Sequence, residues 1–254
     1  MVNPATAARG RSADRILAAR RERLLRRLGL VPTTAEVTHA FLDAALPASG
    51  AVVVDAGCGR VSGLRPFRDR VSELIGVDIH PPDSPLPWLD RFVQADLCRD
   101  DDALAPASLD VVLSSFAVEH FHDPVAALRT LGRWLRPGGW LILTTVNRAH
   151  PFVDVYCAMP RGLAGPLQRL VKAGPGDAHA LVASINTPAR LRAALLAAGF
   201  GDVELITTDH LARAWQRRRS TFVVGLVGDL AAHAFPSRRS TMVVRARRPE
   251  ELMA

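Results

Sequence analysis

The chain has 254 residues, of which 48% are apolar and 22% charged, so it is long enough and apolar enough to close a hydrophobic core. This composition excludes a disordered chain, and the aperiodic scatter of its 18 glycines and 18 prolines excludes a collagen-like one. The net charge of +7 comes almost wholly from arginine, which fits a phosphate-binding surface but equally fits GC-rich coding, so charge alone specifies no partner.

The cysteines and the apolar stretches bear on the cellular compartment. Cys58, Cys98 and Cys157 stand too far apart for a C-x-x-C pair or a disulfide framework. No stretch reaches the roughly 18 uncharged apolar residues that a membrane span needs, and the arginine-rich N-terminus lacks the apolar block of a secretory signal. These features predict a cytoplasmic protein without a transmembrane segment.

Two helices are predicted before the first strand, and strands and helices alternate from Ala51 onward. The run Val52-Val53-Val54 is continuously β-branched, which is typical of a strand covered on both faces. The predicted helices cover residues 13–29, 34–45, 125–135, 188–199 and 222–234, and the other predicted strands cover 74–77, 91–94, 111–114, 140–145, 203–207 and 241–245. This alternation predicts an α/β fold with a doubly wound sheet and helices on both faces.

Residues 148–186 interrupt this alternation with several prolines and a Gly-Pro-Gly turn. The segment follows the carboxyl end of a predicted strand, which is where open α/β sheets place their substrate loops. We therefore interpret it as a substrate cap or lid insertion, with apolar contacts from Phe152, Tyr156, Met159 and Leu163.

The most specific motif is VVVDAGCGR at residues 52–60, where a strand ends and a helix is expected to begin. Gly57 and Gly59 permit positive φ and let the backbone approach a ligand without a Cβ in the way. The carboxylate of Asp55, at the end of the strand, repels a pyrophosphate and attracts a cation.

A second acidic residue, Asp78, ends the next predicted strand, 21 residues after Gly57. A carboxylate at such a strand tip can accept hydrogen bonds from both hydroxyls of a ribose. The dinucleotide fingerprint G-x-G-x-x-G would require glycine at position 62, which is Ser62 here. Asp55 and Asp78 together therefore favour a cationic nucleoside cofactor without phosphate over a nicotinamide dinucleotide.

This loop and four later motifs resemble the class I S-adenosylmethionine-dependent methyltransferases, in particular the small-molecule, type 11-like group whose first motif reads D-x-G-C-G. The later motifs are QADL at 94–97, LDVVLSSFAVEHFHDP at 109–124, LRPGGWLILTTVN at 135–147, and TPARLRAALLAAGFGDVELITT with STMVVRARR at the C-terminus. The resemblance implies a seven-stranded Rossmann-like sheet with a C-terminal antiparallel hairpin. It also implies that residues 51–254 form the methyltransferase domain and that residues 1–50 cap its cofactor site.

The resemblance further implies S-adenosyl-L-methionine as the cofactor and assigns its contacts along the chain. The residues implied are Asp55, Gly57, Cys58 and Gly59 for the amino-acid part, Asp78 and Ile79 for the ribose, Asp96 and Leu97 for the adenine, and Ser115, Phe116 and His120 for the methionine end. Cys58 is expected to be a small buried loop residue and not a nucleophile. The family usually has a third glycine where this chain has Val61, and a valine there is expected to crowd the loop. No metal site is predicted.

The function that follows is transfer of a methyl group to a small-molecule acceptor, with O-, N- and C-methylation left open. A general base is needed only where the acceptor must lose its proton early, as a hydroxyl does. The candidates are His150, at the mouth of the insertion, and His120, which is also a candidate wall of the cofactor pocket.

Two alternatives come from other features of the chain. The net charge and the arginine clusters at 217–219 and 238–239 motivate an RNA methyltransferase, although the sequence has no RNA-binding module or aromatic stacking motif, so no nucleic-acid partner is expected. Val61 and the lack of an evident base motivate a non-catalytic interaction protein with a methyltransferase-like fold.

The predicted helix at Phe222–Phe235 carries an apolar stripe of Val223, Leu226, Val227, Leu230 and Ala234. We expect this stripe to pack on the sheet. A homodimer face and a membrane surface are the alternatives.

Overall fold

A computed structural model describes residues 4–159, 182–216 and 218–250. The strands are β1 (Ala51–Ala56), β2 (Val71–Asp78), β3 (Arg91–Gln94), β4 (Leu109–Ser115), β5 (Leu135–Val146), β6 (Gly201–Thr208) and β7 (Thr241–Arg247). The α-helices are α1 (Pro4–Arg27), α2 (Thr34–Ala45), α3 (Pro124–Trp134), α4 (Pro151–Ala158), α5 (Pro188–Ala197), α6 (Leu211–Ala214) and α7 (Arg219–His233). Short 3₁₀ segments cover Arg65–Arg70, Val118–His120 and Pro236–Arg238.

The seven strands form one sheet in the order β3-β2-β1-β4-β5-β7-β6. Strands β1 to β5 pair in parallel, whereas β7 is antiparallel to both β5 and β6. The prediction of a doubly wound, Rossmann-like sheet with a C-terminal antiparallel hairpin is confirmed. Because β6 runs in the same direction as β1 to β5, its carboxyl end reaches the same edge of the sheet as theirs.

Helices cover both faces of the sheet, which explains why its central strands β1 and β4 are mostly apolar and buried. On one face α3 and α5 bury Leu128, Leu131 and Leu195 against the strands. On the other face α2 buries Phe41 and Leu42, next to Phe67 of the first 3₁₀ segment. Each fully buried side chain of this size stabilises the fold by about 1.5–3 kcal/mol relative to its exposed state. The sheet is thus a rigid platform for residues at its edges.

The connection after β1 differs from the prediction. A helix is expected to begin at the glycine motif, but residues 57–64 form turns and the segment Arg65–Arg70 is a 3₁₀ helix. Pro66 stands at the start of this segment, where its fixed φ suits the first helical turn. The short connection leaves the glycine loop open at the sheet edge.

The packing face of α7 also differs from the prediction. Val223, Val227 and Leu230 of the expected stripe are 42–56% exposed, and Ala234 is exposed as well. The buried residues of this helix are Thr221, Phe222, Gly225, Gly228, Asp229 and Ala232. The expectation that the apolar stripe packs on the sheet is therefore wrong, because the small residues let this helix approach α6 closely.

Asp229 explains why a charged residue lies on the packed face of α7. Its two carboxylate oxygens accept the backbone N–H groups of Leu211 (3.1 Å) and Ala212 (2.8 Å) at the start of α6. Burial raises the pKa of Asp229 to about 6. The carboxylate thus satisfies donors that a helix start leaves unpaired.

None of the helices within the described ranges has both the length and the hydropathy of a membrane-crossing helix.

The close approach of α7 to α6 is testable through Gly225. A Cβ at this position would lie 2.9 Å from the backbone atoms of Leu211 and Ala212, which cannot rotate aside. We expect Gly225→Ala to lower the free energy of unfolding by about 1–2 kcal/mol, since overpacking outweighs the gain in helix propensity. Urea unfolding measures this change. Val224→Ala, on the exposed face of the same helix, serves as control and should stay within about 0.5 kcal/mol of wild type.

Candidate functional site

The candidate site lies at the carboxyl edge of the sheet, around the glycine loop that follows β1. Gly57 has a φ of 74° and its N–H donates to the carbonyl of Val77 (2.8 Å), which ties the loop to β2. A Cβ on Gly57 would lie 2.5 Å from the Cβ of Ala117, so only glycine fits against the segment after β4. The loop therefore joins the ends of β1, β2 and β4.

Gly59 and Asp78 define the open side of this loop. Gly59 has a φ of 48°, and no heavy atom lies within 4 Å of the position that its Cβ would take. Its N–H donates to Oδ2 of Asp78 (3.2 Å), while Oδ1 of Asp78 accepts the N–H of His80 (3.1 Å). The two contacts hold the carboxylate of Asp78 at the border of the open space.

Asp55 lies beneath the same loop and is only 3% exposed. The pKa of Asp55 is raised to about 7, chiefly by burial and to a smaller extent by the negative charge of Asp78, although a hydrogen bond from Ser62 acts to lower it. A carboxylate with this pKa lacks the cationic neighbour that would favour its ionised form. The structure thus brings Asp55 and Asp78 together, in an arrangement that would gain from a bound cation.

Val61 and Cys58 lie next to these acids, and the structure tests what the sequence predicted for each of them. Val61 is 75% exposed, so the expectation that a valine crowds the loop is wrong. Cys58 is 3% exposed, and burial raises the pKa of its thiol to about 12, as expected for a small buried residue without nucleophilic character.

The residues predicted to contact adenine and ribose follow the neighbouring strands. The N–H of Ala95 donates to the carbonyl of Asp78 (3.1 Å), which sets the turn after β3 beside the end of β2. Oδ1 of Asp96 accepts the N–H of Cys98 (2.9 Å), and the side chain of Ile79 is 49% exposed. The side chain of Leu97 is buried in the core, so only its backbone is available to a ligand at this edge.

The residues predicted at the methionine end follow β4. Ser115 is partly buried and pairs with Thr144 of β5. Phe116 has a φ of 53°, which is rare for an aromatic residue and costs about 1–3 kcal/mol. Its N–H donates to the carbonyl of Thr144 (2.8 Å), which holds this conformation. Strain of this kind clusters at functional sites.

His210 is a site residue that sequence reasoning missed. Its ring stacks on Phe116 with centroids 5.6 Å apart, and burial lowers its pKa to about 4. His210 follows β6 by two residues, so the parallel direction of β6 relative to β4 brings it to the edge. The direction of β6 could have predicted this position. Because β6 and β4 run in the same direction, the residues that follow β6 lie at the same edge of the sheet as the residues that follow β4.

The two candidate bases occupy different environments. His120 is partly exposed and ends the 3₁₀ segment after β4, three residues beyond Ala117. His150 is 1% exposed: its Nδ1 accepts the N–H of Phe152 (3.1 Å) and its Nε2 donates to the carbonyl of Gly228 (3.3 Å). Burial lowers the pKa of His150. These contacts are those of a neutral helix cap that also fastens α4 to α7.

The insertion at 148–186 is described only at its ends, and Leu163 lies outside the described residues. The carbonyl of Glu119 accepts the N–H groups of Val182 (2.8 Å) and Ala183 (2.9 Å), and its buried carboxylate accepts the hydroxyl of Thr145 (2.7 Å). The C-terminal end of the insertion is thus fastened to the segment after β4, beside the site. Of its predicted apolar contacts, Phe152 is 36% exposed, and Tyr156 and Met159 are partly buried.

The helix α2 also reaches this edge. The hydroxyl of Thr34 lies 2.7 Å from that of Thr208 and 3.4 Å from Nδ1 of His210, and the hydroxyl of Thr38 lies 3.1 Å from that of Thr144. These contacts put the start of α2 beside the ends of β5 and β6. The role of residues 1–50 as a cap over the cofactor stays a prediction.

The raised pKa of Asp55 predicts a pH dependence of stability. Its pKa rises from 3.8 to about 7 on folding, so between these values the folded protein keeps a proton that the unfolded chain releases. The free energy of unfolding should therefore fall as pH rises from about 4 to about 7, by on the order of a few kcal/mol. Urea unfolding of wild type and Asp55→Asn across this range isolates the effect, because all other titrating groups are shared. Parallel curves would contradict the assignment.

Comparisons with known proteins agree with this geometry. A family model described as a methyltransferase domain matches residues 19–205. A ubiquinone biosynthesis O-methyltransferase of Cereibacter sphaeroides is 38% identical over 114 residues, which are 42% of this chain and 46% of that protein. The chain thus aligns with about half the length of the curated relatives it matches.

Solved structures show the same fold. A chain of the complex between the Haloferax volcanii Trm112 methyltransferase activator and a methyltransferase has a TM-score of 0.55 at 20% identity, covering 91% of this chain and 94% of its own. Phosphoethanolamine N-methyltransferase 2 of Haemonchus contortus, in complex with S-adenosylhomocysteine, has a TM-score of 0.54 at 16% identity, covering 84% of this chain and 52% of its own. With the family model matching most of its length, the chain belongs to the class I S-adenosylmethionine-dependent methyltransferase family.

Proposed function

We propose that this protein transfers a methyl group from S-adenosylmethionine to a small-molecule acceptor, with a hydroxyl oxygen as the methylated atom. The observation that carries the proposal is the buried carboxylate of Asp55 beside Asp78, around a glycine loop that is open in front of Gly59. Phosphate is repelled by this charge, whereas a cationic nucleoside is attracted. Family membership and the S-adenosylhomocysteine in the Haemonchus contortus structure support the same cofactor.

The residues around the loop fit such a cofactor. Asp55, Gly57 and Gly59 would hold its charged amino-acid part, and Asp78 would accept from its ribose. Asp96, on the turn that adjoins β2, would accept from its adenine. When bound, S-adenosylmethionine supplies an electrophilic methyl group on a sulfonium, so the protein's main task is to align the acceptor.

The acceptor end is proposed to lie between Phe116, His120 and His210. Phe116 and His210 form an aromatic wall through their stacked rings. His120 is the proposed base for a hydroxyl acceptor, since it is partly exposed at the end of β4. The name of the Cereibacter sphaeroides relative favours oxygen as the methylated atom. Because only about half of that relative is aligned, its substrate is not transferred to this chain.

An RNA substrate is less well supported. Many arginines, among them Arg68 and Arg70, form ion pairs with nearby carboxylates. Of the predicted basic clusters, Arg239 donates to the carbonyl of His233, Arg238 lies over the ring of Phe235, and Arg217 lies outside the described residues. Several arginines of the described fold thus have partners within the protein, and the net charge of +7 does not by itself mark a phosphate-binding face.

Cofactor binding separates an enzyme from an interaction protein that merely shares the fold. We expect calorimetry to show binding of S-adenosylmethionine, and Asp78→Ala to weaken it by about 1.5–3 kcal/mol through loss of charge-assisted hydrogen bonds. Asp83→Ala is the matched control, because this carboxylate is 82% exposed and its contact among the described residues is an ion pair of 2.5 Å with Arg60. The proposal fails if wild type does not bind the cofactor at millimolar concentration.

The two candidate bases make a matched pair of variants. We expect His120→Gln to lower kcat for a hydroxyl acceptor by about 100-fold or more, measured at saturating cofactor. His150→Ala should lower stability by about 1–3 kcal/mol through loss of its two buried hydrogen bonds, while kcat of the folded protein is retained. Incubation with a library of small phenols and mass spectrometry of the products identify the acceptor and supply the assay. Equal loss of kcat in both variants would contradict this division of roles.

A further inference from the structure

A second group of reactive side chains lies on the turn after β3. A carboxylate oxygen of Asp96, Sγ of Cys98 and a ring nitrogen of His122 all lie within 4.8 Å of one another. We propose that these three residues form a binding site for a divalent transition metal of the zinc class. We call Asp96, Cys98 and His122 the metal triad.

Two local structures hold the metal triad in place. The contact from the N–H of Cys98 to Oδ1 of Asp96 (2.9 Å) turns the chain so that both side chains lie on one side. Asp123 caps α3 by accepting the N–H of Ala126 (2.9 Å), which fixes the position of the preceding His122. Sγ of Cys98 faces the backbone N–H groups of His122 and Asp123. The turn and the helix cap therefore meet at the sulfur.

The set of donor atoms selects the class of metal. Thiolate sulfur, imidazole nitrogen and carboxylate oxygen are the ligands of zinc and similar borderline metals, whereas magnesium and calcium prefer oxygen alone. Tetrahedral zinc bonds of about 2.0–2.3 Å place ligand atoms about 3.3–3.8 Å apart. The atoms of the metal triad need to approach one another by up to about 1.5 Å, which side-chain rotation can supply because His122 is exposed and the other two are only partly buried. Three protein ligands leave a fourth position open.

The neighbouring residues determine how accessible the metal triad is and which charge competes with a metal for it. Cys98 lines a cavity of about 400 Å³ and is only partly buried, so its side chain is accessible. Nε of Arg99 lies 3.7 Å from Oδ2 of Asp96, so its charge competes with a metal for this carboxylate. The Arg99 side chain is 74% exposed and is free to move away. Removing this charge should therefore strengthen metal binding.

Metal binding has a consequence for the cofactor, and this part rests on the proposed function. Asp96 is also the proposed partner of adenine, and one carboxylate cannot serve both ligands fully. An occupied metal triad should therefore weaken S-adenosylmethionine binding, which makes the site inhibitory.

Cobalt(II) titration of the full chain tests the site without any cofactor. We expect wild type to bind one cobalt with a thiolate-to-cobalt absorption band, and Cys98→Ser to lack the band. His122→Ala, at an exposed position, should weaken binding by more than about tenfold. Arg99→Gln should bind more tightly than wild type. Cys157→Ser, which removes another partly buried cysteine, is the control and should keep the band. Absence of the band in wild type, or its persistence in Cys98→Ser, overturns the proposal.

Calorimetry with S-adenosylmethionine tests the inhibitory part. Saturating zinc should weaken cofactor binding about tenfold or more in wild type and leave it unchanged in Cys98→Ser. Cofactor binding in the presence of a chelator tests the proposed function alone, and the cobalt band tests the metal triad alone. Unchanged cofactor affinity in zinc-loaded wild type overturns the inhibitory role.

Discussion

The site depends on one steric constraint, which is the approach of Gly57 to Ala117. A Cβ on Gly57 would lie 2.5 Å from that of Ala117, so any other residue would push the loop after β1 away from the segment after β4. The same loop donates its Gly59 N–H to Asp78 at the end of β2. Because Gly57 has no side chain, the ends of β1, β2 and β4 can surround one hollow. The proposed ligand contacts depend on this arrangement.

The sheet and the acidic strand tips were predictable because their signals are local. Continuous apolar runs such as 52–54 identify strands buried on both faces, and all seven predicted strands are present. Asp55 and Asp78 then follow as residues at the carboxyl ends of adjacent parallel strands. Parallel topology brings such ends together whatever the loops do. The position of the hollow could therefore be predicted from the sequence. The arrangement of both acids around the same glycine loop could not.

The errors arose where distant residues decide the outcome. The apolar stripe of α7 looked like a packing face, but Gly225 and Gly228 pack instead because small residues allow contact with α6 and Phe152. His150 looked accessible from its place in the chain, yet it is buried by α7, about 80 residues later in the sequence. The proximity of Asp96, Cys98 and His122 also gave no sequence signal, because His122 is far from the other two along the chain. Periodicity and motif spacing do not predict contacts between residues that are distant in the sequence.

The charge of the hollow is opposite to that of the whole protein, and this contrast explains the choice of ligand. The net charge of +7 is an excess of arginine over acidic residues, and several arginines outside the hollow pair with carboxylates such as Asp90 and Glu204. Asp55 is buried with only a serine hydroxyl to favour its ionised form, and the nearby charge of Asp78 opposes that form. A cation in the hollow would lower the energy of both acids together. The local field, and not the net charge, therefore favours a cationic ligand such as the proposed cofactor over a phosphate.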